Sequence, residues 1–157
     1  MKEKNWCTIS ANVHNAGFKM IVTRYIEIRT KGNTDVIDLT GKCRDMLSES
    51  RLRDGIMTVF CPGSTGGVTA LEYEPNLVRD LKSAMEIFAP SDKRYEHFKT
   101  WNDDNGSAHI RSALMGPSMS VPFVKGEMTL GTWQQIVFCD FDTRPRDRKL
   151  TVQIMGE

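Results

Sequence analysis

Short links between strand-like runs constrain this chain more than any other feature. In its last third, residues 121–124 read as a strand and Lys125-Gly126-Glu127 as a turn. Residues 130–140 read as a long strand, residues 143–147 as the next turn and residues 150–155 as a final alternating strand. Parallel strands need a crossover of a dozen residues or more, so links this short predict mainly antiparallel pairing. The same pattern appears earlier. Tyr25-Ile26-Glu27-Ile28-Arg29 alternates apolar with charged side chains inside a run over residues 21–30 rich in β-branched and aromatic residues. Lys31-Gly32-Asn33 reads as a turn and residues 34–39 as a second strand, which predicts a hairpin. Residues 56–61, IMTVFC, predict a strand buried on both faces, and residues 68–73 another.

Helical spacing interrupts the strands. Thr40 is placed to cap a helix carrying Cys43, Met46, Leu47 and Leu52, with Gly55 where a terminating glycine belongs. Glu74-Pro75 opens a second helix, because proline suits the first turn and an acid there favours the dipole. Leu77, Val78, Leu81, Ala84, Met85 and Phe88 share its apolar face, and Pro90 ends it. Residues 107–115 predict a third, short helix closed by Gly116-Pro117. The class is therefore α+β with two to three helices.

At 157 residues the chain is one domain's worth of sequence, large enough for a substantial core. A net charge of +1 argues against a nucleic-acid surface, and no apolar run has the length of a membrane span. Cys7, Cys43, Cys61 and Cys139 are scattered without a CxxC pair, so they read as reduced thiols of a cytoplasmic protein rather than as zinc ligands. Residues 1–17 lack a clean period and read as an irregular extension able to add an edge strand; His14 within it reads as incidental.

Chemistry concentrates between residues 95 and 135. His97 and His109 flank a polar run, Trp101-Asn102-Asp103-Asp104-Asn105-Gly106, of residues that bend the backbone. Imidazole and carboxylate are the groups that bind divalent metals and move protons near neutral pH. A second feature is Pro62-Gly63-Ser64-Thr65-Gly66-Gly67, directly after a strand. Its backbone N–H groups can converge on an anion, or the segment is simply a flexible turn with a bulge.

From about residue 20 to residue 156 the chain resembles the YjbQ family, often labelled secondary thiamine-phosphate synthase. The resemblance rests on Gly63-Ser64-Thr65, Glu72 with Glu74-Pro75, His97, Ala108-His109, Leu114-Met115-Gly116-Pro117-Ser118, Val121-Pro122 and Leu130-Gly131-Thr132-Trp133-Gln134. The wording PGST…EYEP is similar to the archaeal-type branch. Many bacterial members carry His-Thr where this chain has Gly63-Ser64, which removes one histidine from any three-histidine metal set. The resemblance implies that residues 1–19 are an extension, or that Met20 is an alternative start, with residues 20–157 the family domain.

The resemblance implies an antiparallel β-sandwich with a few helices, assembled as a homotrimer. It implies a divalent metal, zinc or magnesium, near His97 and His109, and no organic cofactor. It further implies a transferase that joins hydroxymethylpyrimidine pyrophosphate to a thiazole phosphate, giving thiamine phosphate. On this reading His97, His109 and Glu72 are catalytic, with Glu72 the first choice to complete a metal set and Asp103 or Asp104 the second. Ser64, Thr65, Gly66, Asn105, Arg111, Gln134 and Arg148 would bind phosphorylated substrate. Trp133 stacks on a ring, or belongs to the core or a subunit interface, and Arg111 is equally an ordinary surface charge. Two other classes stay open: a metal-dependent hydrolase of small phosphate compounds, and a non-enzymatic trimer.

Overall fold

Eight strands and four helices make up the computed structural model, which describes residues 20–157; residues 1–19, with Cys7 and His14 and the expected extension, lie outside the described residues. The elements are β1 (Met20–Arg29), β2 (Asp35–Asp38), α1 (Thr40–Ser50), β3 (Gly55–Phe60), β4 (Gly66–Leu71) and α2 (Pro75–Phe88). They continue with α3 (Phe98–Trp101), α4 (Gly106–Met115), β5 (Ser118–Val124), β6 (Glu127–Met128), β7 (Gln135–Asp140) and β8 (Asp147–Gly156). Every strand pairing is antiparallel. One sheet has the order β1-β8-β3-β5-β6 and the other β2-β7-β4.

The layers follow from burial. Ile26, Met57, Val59, Phe123, Leu150 and Ile154 of the five-stranded sheet meet Val68, Ile136 and Phe138 of the three-stranded sheet, with Cys43 and Leu47 of α1 in the same core. The three-stranded sheet is covered on its other face, where Val137, Cys139 and Phe141 pack with Ala108 of α4 and with Val78, Leu81 and Met85 of α2. Strand β7 is therefore buried on both sides. The double burial expected of residues 56–61 is not found in β3, which lies in the outer sheet and leaves Ile56 and Phe60 exposed.

Four other expectations are corrected. β1 and β2 form no hairpin: β1 pairs with β8 and β2 with β7. Three successive residues with positive φ, Gly32, Asn33 and Thr34, swing the chain from one sheet to the other. A Cβ at Gly32 would lie 2.5 Å from the Arg144 carbonyl oxygen, so only glycine fits. Thr40 does not cap α1, since its hydroxyl accepts the Ile136 N–H (2.9 Å) while Asp38 accepts the Thr40 N–H (2.8 Å). Left-handed Arg51 ends α1, and Gly55 instead opens β3 at a crossing where a Cβ would strike the Met155 carbonyl. The strand expected from residue 130 starts only at Gln135, because residues 131–134 close a turn through Gln134 N–H to the Gly131 carbonyl (2.9 Å). The fourth helix, α3, is a single turn within the polar connection before His109.

As the sequence indicates, α2 begins at Pro75, with the Glu74 side chain accepting from the Asn76 and Leu77 amides. Among the described residues no helix is long and apolar enough to cross a membrane.

Candidate functional site

One end of the sandwich carries two polar clusters. The first is built by the segment before α3 and by α4. His97 and His109 stand with ring centroids 4.5 Å apart and planes tilted by 59°. His97 Nε2 lies 3.4 Å from Asp103 Oδ1. Asn105, with its amide oriented to satisfy its neighbours, donates to Asp103 Oδ1 (3.0 Å) and to His109 Nε2 (3.3 Å). These partners assign the neutral tautomers. His97 carries its proton on Nε2, facing the carboxylate, and His109 carries its proton on Nδ1. Two imidazoles with opposite tautomers, one oriented by a carboxylate, have the geometry of a hydrogen-bonded relay.

The position of α4 follows from its buried face. Gly106, Ser107, Ala108, Arg111 and Ser112 are buried, and the Ser112 hydroxyl donates to the Gly66 carbonyl (2.7 Å). Arg111, proposed from sequence as a substrate ligand, is 1 % exposed and committed to the protein. It donates through Nε (3.0 Å) and Nη2 (2.7 Å) to the Ala89 carbonyl and through Nη1 (3.1 Å) to the Thr34 hydroxyl, and it pairs with Glu86 (2.7 Å). Its donors fasten α4 to the end of α2, so it holds the His109 helix in place and has no open edge for a ligand.

The second cluster joins the sheets. Arg148 of β8 donates through Nε (2.7 Å) and Nη2 (2.6 Å) to Asp140 of β7, and Nη2 also donates to the Thr65 hydroxyl (2.9 Å). The Thr65 hydroxyl donates to Asp142 (3.1 Å), which also accepts Arg146 Nε (2.9 Å). Thr30, just past β1, donates to Asp140 (2.6 Å). Burial opposes the charge on Arg148, but the hydrogen bonds and attraction of Asp140 outweigh it and raise the Arg148 pKa. At Asp142 burial likewise favours the neutral acid, and Arg146 with Thr65 overcomes it, lowering the carboxyl pKa. The third Arg148 nitrogen, Nη1, faces Gly63: it would lie 3.3 Å from a Cβ built there. Among the described residues no protein acceptor takes Nη1, and no buried side-chain nitrogen is left unpaired, so Nη1 reaches solvent beside exposed Ser64.

The structure thus groups His97, His109 and Asn105 in one cluster and Thr65 and Arg148, with Ser64 and Gly66 on the same loop, in the other. A hydrogen bond from Thr143 to Asp104 (3.2 Å) ties the loops that carry them. Glu72 is exposed just after β4, and among the described residues no hydrogen bond or ion pair links it to either imidazole; Asp103 occupies the carboxylate position. Gln134 turns its side chain back to accept the Gly131 amide (2.8 Å) and lines a different cleft with Thr40 and Arg44. Trp133 is exposed and not part of the core. Among the described residues no three imidazole, thiol or carboxylate groups converge to hold a metal ion. Sequence reasoning missed Asp140 and Asp142. Their signal was two acids ending a buried apolar strand, VFCDFD, shortly before three arginines.

Comparison with known proteins agrees with this architecture. The family described as "UPF0047 protein YjbQ-like" matches residues 24–157. A UPF0047 protein of Methanothermobacter thermautotrophicus is 36% identical over 140 residues, covering 89% of this chain and 96% of its own. The UPF0047 protein YugU of Bacillus subtilis is 30% identical, covering 83% and 97%. The crystal structure of a YbjQ-like protein of unknown function from Sulfolobus solfataricus superposes with a TM-score of 0.85 at 26% identity, covering 89% of this chain and all of that one.

Proposed function

The chain belongs to the YjbQ/UPF0047 family, and from that premise we propose that it is a phosphate-handling transferase, coupling hydroxymethylpyrimidine pyrophosphate with a thiazole phosphate to give thiamine phosphate. The observation that supports this most is Arg148. Two of its nitrogens are locked on Asp140, and the third is presented to solvent at the Gly63–Ser64 loop. A guanidinium fixed in this way is pre-organised for a phosphate oxygen, since its orientation costs nothing further on binding.

The diphosphate sits with one phosphoryl group against Arg148 Nη1 and the Ser64 hydroxyl. As the bond from the pyrimidine methylene carbon to the diphosphate oxygen breaks, negative charge gathers on that oxygen and Arg148 stabilises it. The thiazole nitrogen supplies the electron pair for the new C–N bond. The imidazole pair, with Asp103 orienting His97, supplies hydrogen bonds to the departing diphosphate. The active assembly is a homotrimer, as the family resemblance implies. No step runs through a metal, because the described residues offer two imidazoles and no converging third ligand.

The test is chromatographic measurement of thiamine phosphate and pyrophosphate from the two substrates, wild type beside Arg148→Lys and His109→Ala. Expected is one pyrophosphate per product in the wild type, with each variant slowed by roughly 10²-fold. Phosphate release without coupled product would instead identify a hydrolase, and no turnover by folded wild type would leave a binding protein.

A further inference from the structure

A reaction between two phosphorylated molecules needs two places that hold an anion, and Arg148 provides one. We propose that Lys93 and Arg94 form a second phosphate site, at the histidine cleft, for the monophosphate of the co-substrate; this rests on the transferase reading. The cleft measures about 510 Å³, within the range of small-ligand sites. It is lined by half-buried His97 and His109 and by exposed Ile110, Glu96, Lys93 and Arg94.

Both cations are held without being neutralised. The Lys93 ammonium lies 5.7 Å from the Tyr95 ring centre, and the Arg94 guanidinium carbon lies 4.9 Å from that of Phe98. A ring face restrains a cation while leaving its hydrogen-bond donors available. Among the described residues neither forms an ion pair, whereas the nearby acids are mostly engaged elsewhere. Glu96 pairs with Lys99, Asp103 faces His97, and Asp104 accepts from Thr143. Lys93 and Arg94 also border the neighbouring cleft, with Asp92, Asp103 and Asp104, whereas Glu96 is the one acid lining the histidine cleft. The charge facing the histidine cleft is thus positive, which suits a phosphate. Tilted imidazole rings and exposed Ile110 suit the planar heterocycle attached to it.

The test uses full-length protein and inorganic phosphate at constant pH and ionic strength, read through the ring proton resonances of the three histidines, assigned with single His→Gln variants. Expected in the wild type is a saturable shift of the His97 and His109 signals. In Lys93→Ala/Arg94→Ala the half-saturating phosphate rises about tenfold, the scale of one or two charge-assisted contacts, while the melting temperature holds. Arg148→Lys leaves the histidine response intact. Identical titrations in wild type and the Lys93/Arg94 variant overturn the proposal. So does a histidine response lost in Arg148→Lys but kept in Lys93→Ala/Arg94→Ala, which would show a single phosphate site at Arg148 and leave the transferase reading standing. Histidines silent to phosphate in the wild type also refute the second site, and the coupled product assay then judges the transferase reading separately.

Discussion

Asp140 has no exposed surface, and its carboxylate accepts from the Thr30 hydroxyl, the Asp142 amide and two nitrogens of Arg148. Removing it would leave a guanidinium stranded at the edge of the core. Asp140→Ala is therefore expected to cost about 3–5 kcal/mol in urea denaturation. The exposed Arg29–Asp147 pair provides the contrast, since Asp147→Ala should change stability by less than about 1 kcal/mol. Asp142 adds a pH signature. Its folded pKa is lowered, so the stability it contributes is present above the unfolded carboxylate value of about 4 and is lost as pH falls through the folded value. Asp142→Asn should flatten that part of the acid limb in chemical denaturation measured against pH. Burial also pushes the Cys43 and Cys139 thiols up to about 12, so native-state thiol labelling should spare both until the protein unfolds. Individual residues were unevenly legible in the sequence. The histidines stood out because imidazole is rare and sat in a polar run. Arg111 was misjudged, because nothing local distinguishes a surface arginine from one that a distant helix end has enclosed.

At the scale of elements, α4 reaches the sheet through missing side chains. A Cβ on Gly66 would come within 2.7 Å of the Phe138 ring, and one on Gly67 within 2.9 Å of the Met115 side chain. The pair lets β4 pack tightly while Ser112 bonds the Gly66 carbonyl. Gly66→Ala should cost about 1–3 kcal/mol by overpacking. Phe138→Leu should recover part of that loss in a double-mutant cycle, because it withdraws the ring the new methyl meets. Glycine next to hydroxyl residues suggested an anion loop from sequence, and the packing role of Gly66 and Gly67 was hidden because it depends on distant partners, Phe138 of β7 for Gly66 and Met115 of α4 for Gly67. Helix starts and ends with local punctuation, such as Glu74-Pro75 and Gly116-Pro117, were readable. The β1–β2 hairpin failed for the opposite reason. The turn was real, but the partner of each strand was decided at the far end of the chain.

For the molecule as a whole, the longest pairing is between the first and last described strands. β1 and β8 match residue for residue from Met20–Gly156 to Arg29–Asp147, and β8 also pairs with β3. Among the described residues β1 is an edge strand, with β8 its only partner in the sheet. A chain stopped after residue 146 would lose Leu150, Val152 and Ile154 from the core and leave β1 unpaired. Such a chain should show no cooperative thermal transition by circular dichroism.

The same arrangement sets the timetable of synthesis. During translation the β1 segment leaves the ribosome well over a hundred residues before the segment that completes it. Its apolar side chains, Ile26 among them, must wait through that interval at roughly 5–20 residues per second. The outer sheet therefore closes only after β8 has been synthesised, and a pairing this distant makes refolding slow and vulnerable to capture by other nascent chains. Chaperone demand in the cell would be governed by that wait more than by the stability finally reached.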